Sequence, residues 1–163
     1  MPPLSQLHQD IDDHVQYIRQ DQPDWLCTKG CDTCCRQLAD LPQLSAAEWF
    51  LLRQGLAALP CEHQHSIRNK VAALPDQPPS PITCPLLDTT TGACPVYAHR
   101  PVACRSYGFY VQRDKGLYCE DIKLRVTDGS LANVVWGNHD AIDQRLATQG
   151  DTRSLKAWFE TED

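Results

Sequence analysis

No stretch of this 163-residue sequence approaches the ~20 consecutive apolar residues needed to span a bilayer. Its opening segment, MPPLSQLHQDIDDHVQYIRQ, lacks the positive n-region, apolar stretch and small-residue cleavage site of a secretory signal, and carries aspartates instead. Lysine and arginine form no run and the formal charge is −6, so no general attraction to nucleic acid or an anionic membrane is expected. No Walker loop, dinucleotide-binding glycine pattern or Ser/His/Asp arrangement is visible, and there is no internal repeat or low-complexity tract. These absences lead to the expectation of a soluble, cytoplasmic chain in a reducing compartment, with neither nucleic acid nor membrane among its partners.

What the sequence does have is cysteine. There are nine, an odd number, so at least one thiol stays unpaired in any disulfide scheme. In a reducing compartment such enrichment points to metal binding or catalysis rather than disulfides. Eight of the nine fall into two sets: Cys27, Cys31, Cys34 and Cys35, then Cys84, Cys94, Cys104 and Cys119. Thiolates two to four residues apart can converge on one ion because a tight knuckle turns their sulfurs inward, as zinc sites and iron–sulfur clusters both require. The second set is more widely spaced, so the fold must gather it. The plainer alternative is that cysteine is a small buried hydrophobe. Were Leu26 to Gln37 helical, the first set would form one apolar stripe; Gly30, Asp32 and Thr33 favour a turn instead. The adjacent Cys34 and Cys35 are expected to diverge, so they do not readily serve one tetrahedral ion together. A paired metal site with four thiols at each centre is therefore open, as is a single one.

Around these sets the patterning predicts a small single α+β domain over 1–163. Helices surround an irregular, cysteine-rich, metal-binding middle at about 27–119 that carries short β-hairpins. Leu4, Leu7, Ile11, Val15 and Ile18 recur at helical spacing, and Pro23 limits that helix. Ser45 and Glu48 form a capping box opening AAEWFLLRQGLAAL. Ile67, Val71 and Leu74 suggest a third helix, followed by an extended PDQPPSP. CPLLDTTTGACPVY reads as two short strands about a Thr/Gly turn. RPVACRSY reads as a short helix with Pro101 in its first turn. GFYVQ and LYCEDIKLRV read as strands joined at RDKG. The C-terminal part returns to helix with Ile142 and Leu146 on one face, and Asp151 is expected to cap a last helix containing Leu155, Trp158 and Phe159.

Bound thiolates leave net negative charge, so the cations beside them matter. Arg100 and Arg105 bracket Cys104, and both are expected to neutralise and donate to sulfur from just outside the ligand shell. Lys29 and Arg36 lie near the first set without a clear preference. Cys61 stands apart with His63 and His65; the spacing could hold metal, but a surface helix start is the expectation. His8, His14, His99 and His139 are scattered and are read as surface or capping residues.

CTKGCDTCC, then CPLLDTTTGACPVYAHRPVACRSYGF, then YC, together resemble the YkgJ-type cysteine-cluster family of zinc- or iron-chelating domains. The match carries all eight cysteines from Cys27 to Cys119, over half the chain, and gives Cys61 no place. The resemblance implies a metal ion or cluster as partner. The expected cofactor is an iron–sulfur cluster of the 4Fe–4S type, or a zinc or iron ion. Similar cysteine clusters in flagellin lysine N-methylases favour iron–sulfur. The function expected is a redox, metal-handling or accessory module. The alternatives are an iron–sulfur-dependent, methyltransferase-like enzyme and a structural zinc protein acting as an interaction module. Cys27 to Cys34 also match the C-x3-C-x2-C spacing of radical S-adenosylmethionine enzymes. The chain is short for their barrel, however, and no alternation of strands and helices follows the motif.

Overall fold

In the computed structural model, which describes residues 3–113 and 115–162, the N-terminal periodicity becomes α1 (Leu4–Asp21), with Leu7, His8, Ile11, Val15 and Ile18 buried along one face. The first two residues of the predicted segment lie outside the described residues. A short α2 (Thr33–Arg36) follows, then β1 (Gln43–Ser45), α3 (Ala46–Ala57) and α4 (Cys61–Ala73). Next come a 3-10 turn at Tyr97–His99, α5 (Val102–Ser106), β2 (Tyr110–Gln112), β3 (Lys115–Leu117) and α6 (Glu120–Thr127). β4 (Gly137–Asn138), α7 (His139–Leu146), β5 (Thr152–Ser154) and α8 (Leu155–Glu160) complete the order. The architecture is α+β: helices predominate, joined by two small sheets. β1 pairs antiparallel with β5, Leu44 opposite Arg153. In the other sheet, ordered β3-β2-β4, β2 and β3 form a hairpin with Tyr110 opposite Leu117, and β4 lies parallel to β2.

Local chemistry explains most of these elements. Ser45 caps α3: its Oγ accepts from the Glu48 N–H at 3.3 Å, while the Glu48 carboxylate accepts from the Ser45 N–H at 2.8 Å. Pro101 precedes the first residue of α5, where its fixed φ suits a helix entry. Three expectations need correction. CPLLDTTTGACPVY holds a single bridge, Asp88 with Ala93, instead of two strands. Pro85 and Pro95 cannot donate to a ladder, so the pairing stops there. The hairpin expected at GFYVQ and LYCEDIKLRV is present, but its second strand ends at Leu117 and residues from Glu120 are helical. Glu120 and Asp121 suit a helix N-terminus, and only Ile122 of α6 is buried, so the apparent alternation did not mark a sheet face. Asp114 of the joining turn lies outside the described residues. Ser154, not Asp151, caps α8, accepting from the Ala157 N–H at 3.2 Å; Asp151 instead pairs with Arg153.

Two apolar cores result. The first joins α1, α5, β2, α6 and α7 through Ile11, Ile18, Val102, Phe109, Ile122 and Ile142, with Trp25 stacked on Phe109. Asp12 of α1 pairs with Arg105 at 3.3 Å, and Asp10 with Arg145 of α7 at 2.7 Å. The second core joins α3, α4 and α8 through Leu52, Leu56, Ile67, Val71 and Leu155, with Trp49 stacked on Trp158. Trp158 donates its indole N–H to the Leu44 carbonyl at 2.9 Å, which seats α8 on the β1–β5 pair. Cys27 and Cys119 pack against the first core, and Cys84 and Cys94 against the second. These four cysteines are thus divided between the two cores, two against each.

Candidate metal centre

The first cysteine segment turns sharply before it becomes helical. The Cys31 N–H donates to the Thr28 carbonyl at 3.0 Å, closing a turn with Gly30 at φ +96°, a conformation that glycine adopts without penalty. Asp32 then accepts from Arg36 at 2.6 Å, and Arg36 also donates to the Thr89 carbonyl at 3.1 Å. Cys34 and Cys35 lie on α2.

Backbone bonds dock the second set onto the first. Leu38 and Ile82 exchange hydrogen bonds at 3.0 and 2.8 Å, and the Cys84 N–H donates to the Cys35 carbonyl at 2.7 Å. Cys94 follows a turn built on Asp88, whose carboxylate accepts from the N–H groups of Thr90 and Thr91 at 2.9 and 3.3 Å. Cys104 rides on α5. The Val102 N–H of that helix donates at 2.8 Å to Glu48, a buried carboxylate of the other core. Cys119 precedes α6, just past the hairpin, and the Gly108 N–H donates to the Leu117 carbonyl at 2.7 Å. Gly108 has φ +95°, and a Cβ there would collide with Cys27 Sγ. The backbone makes room at this point for a sulfur.

All nine cysteines are free thiols. Cys27 is pushed up to about 12, by burial first and then by its neighbours Cys119, Cys31 and Cys34. Cys84 is pushed up to about 11 by burial, with Cys94 and Cys34 adding to it. Burial, then Cys84, Cys34 and Cys94, raise Cys104, and burial raises Cys94. Cys34 is raised by its hydrogen bond with Cys35 and then by burial. Tyr107 is raised to about 12 by burial, then by Cys34, Cys119 and Cys27. Crowded thiols in a poorly solvated place stay protonated until a cation offsets their charge.

Cations are at hand. Arg100 opposes the raised values of Cys94 and Cys104. Its guanidinium is 3.6 Å from the centroid of the Tyr97 ring, and its Nε donates to the Tyr97 carbonyl at 2.9 Å. Arg105 donates to the carbonyls of Arg100 and Ala98 and pairs with Asp12, so it ties α5 to α1. Lys29 lies over the Tyr97 ring. Arg19, which sequence reasoning missed, donates to the Cys27 carbonyl at 2.6 Å and opposes the raised value of that thiol. Nothing in its spacing marks it; it reaches the site from the last turn of α1. Cys61 is exposed at the start of α4, and His63 and His65 follow on the same helix. His8 and His139 are buried rather than at the surface.

Among the described residues, no three Cys, His, Asp or Glu side chains are arranged to hold one ion as they stand. The donor set nevertheless fits a thiophilic metal. Soft sulfur donors suit zinc, iron and iron–sulfur clusters, Arg19 and Arg100 supply countercharge, and Gly108 leaves the space a Cβ would fill.

Free cysteines, four of them within residues 27–35, mark this small α+β chain as a cysteine-rich protein. The chain belongs to the CxxCxxCC family, described as "Putative zinc- or iron-chelating domain", whose model matches residues 26–123. It departs from the pattern in that name at one point: Thr28, Lys29 and Gly30, three residues in place of two, separate the first pair of cysteines. The additional residue is accommodated in the Thr28–Cys31 turn. No curated protein and no solved structure gives a significant match.

Proposed function

We propose that the chain is a metal-binding protein holding zinc, iron or an iron–sulfur cluster through Cys27, Cys31, Cys34, Cys35, Cys84, Cys94, Cys104 and Cys119. It serves as a redox, metal-handling or accessory module, with Arg100 offsetting thiolate charge. Arg105 supports it from behind by fixing α5. What supports this reading is the family match over residues 26–123, a span that contains all eight cysteines, every one of them a free thiol. When bound, the metal supplies either a closed structural link or, as an iron–sulfur centre, a site for electron storage. The chain's own residues supply the sulfurs, release their protons to solvent on binding, and shield the centre between two apolar cores.

The test is anaerobic purification followed by elemental analysis and optical spectra. Zinc or iron in stoichiometric amount is expected, with a brown colour bleached by dithionite if the metal is iron–sulfur. A folded, colourless chain with neither metal would sink the proposal. Cys61→Ser should leave metal retention unchanged, because its exposed thiol starts α4 and is not among the neighbours of the other thiols.

A further inference from the structure

We infer that the chain binds a small aromatic carboxylate in a cleft walled by α1, β2, β4 and α7, a site that contains no cysteine and does not depend on the metal-binding reading. The cleft measures about 360 Å³. Asp10 and His14 of α1, Tyr110 of β2, Trp136 and Asn138 at β4, and Arg145 of α7 line it. Its floor is built by close approach. Gly137 of β4 stands opposite Tyr110 of β2, and a Cβ at 137 would collide with the Tyr110 ring, so that ring closes down on bare backbone. The His14 ring lies 5.4 Å from the Tyr110 ring, and its Nε2 donates to the Val135 carbonyl at 2.8 Å. A carbonyl only accepts, so in the neutral imidazole this bond holds the proton on Nε2 and leaves Nδ1 as an acceptor.

The hydrogen bonds already made leave donors in excess. Both carboxylate oxygens of Asp10 are engaged, one by Gln6 Nε2 at 2.9 Å and the other by Arg145 Nη1 at 2.7 Å. The Nε and Nη2 groups of Arg145 have no partner among the described residues. Asn138 spends its Oδ1 on the Asp140 N–H at 3.0 Å, and its amide N–H groups are free among those residues. Tyr110 is only 6% exposed, yet its hydroxyl has no partner among them either. Burial, and then Asp10, push that phenol up to about 12, so it donates at neutral pH. Against these donors, Nδ1 of His14 is the one acceptor left over. A guanidinium, an amide and a phenol offered together suit a planar carboxylate, which a guanidinium can grip with two parallel bonds. Asp10 beside Arg145 cancels part of its charge, which favours a singly charged group over a phosphate dianion. Trp136 and Tyr110 supply the ring surface that a flat apolar body needs.

Benzoate, benzamide and inorganic phosphate, each titrated into the full chain, test this through the indole N–H signals of its four tryptophans in nitrogen-15 NMR. Trp136→Phe identifies the signal that reports on the cleft. Benzoate is expected to move that signal saturably, and benzamide to bind about tenfold more weakly. Phosphate should leave it unmoved. Tyr110→Phe keeps the ring and removes only the hydroxyl, so benzoate should bind it about fivefold more weakly. Arg145→Gln should weaken benzoate by about tenfold or more. Benzoate that never moves the Trp136 signal overturns the inference, as does benzamide binding equally well or phosphate moving the signal as strongly. Wild-type affinity in a Tyr110→Phe chain with unchanged circular dichroism overturns it too. Should Arg145→Gln fail to fold, Tyr110→Phe and the contrast of benzoate with benzamide decide.

Discussion

A methyl group at position 108 would occupy the space that Cys27 Sγ fills, on a backbone whose φ of +95° already disfavours any side chain. Gly108→Ala is therefore expected to lower stability by about 1–3 kcal/mol and to weaken metal retention, read by thermal melting and elemental analysis. Unchanged melting and metal content would show that the collision is relieved at no cost. His8 makes a different prediction. Burial, and then the Arg105 guanidinium, hold it down to about 4, with Asp12 pulling the other way. The unfolded chain takes up this proton near the ordinary value of 6.5, while the folded chain resists until about 4. Stability from this residue is complete above pH 6.5 and is lost as pH falls towards 4, by on the order of 2 kcal/mol. Melting temperature should fall across that window, and His8→Gln should flatten the fall. The cysteines were legible one by one, because residue type alone states their chemistry. Gly108 and His8 were not, since neither a missing side chain nor a buried ring reveals its neighbour in the sequence.

At the scale of elements, α3 and α5 are joined by Glu48. One carboxylate oxygen closes the capping box with Ser45, and the other accepts from Val102, the first residue of the helix that bears Cys104. Glu48→Ala would leave the Ser45 and Val102 N–H groups buried without partners. A loss of roughly 2–4 kcal/mol is expected in urea unfolding, against about 1 kcal/mol for Ser45→Ala. Equal losses for the two variants would show that the link to α5 contributes nothing. The capping box itself was readable, because its two residues are three apart and the geometry is local. The second use of the same carboxylate spans 54 positions and has no local signature. α6 shows the converse. Leu124 and Val126 looked like strand residues, yet Leu124 is 66% exposed, and the helix is set by the acidic start at Glu120 and Asp121 and by docking of Ile122.

At the scale of the molecule, Cys27 and Cys119 pack against one core and Cys84 and Cys94 against the other, so a metal held by sulfurs of both would link them. Removing it with a chelator is expected to lower the melting temperature by on the order of 10 °C and to make melting depend on metal concentration. A melting curve indifferent to chelation would rule out a structural role for the metal. No helix among the described residues is long and apolar enough to cross a membrane.

The family, the flanking helices and the clustering of cysteine in two stretches could all be read along the chain, because residue type, periodicity and capping are local properties. Which elements pack beside each cysteine could not. That packing depends on the Leu38–Ile82 bridge, the Cys35–Cys84 bond, the gap at Gly108 and the packing of two separate cores. Each joins residues far apart in the chain, and only folding brings them within reach.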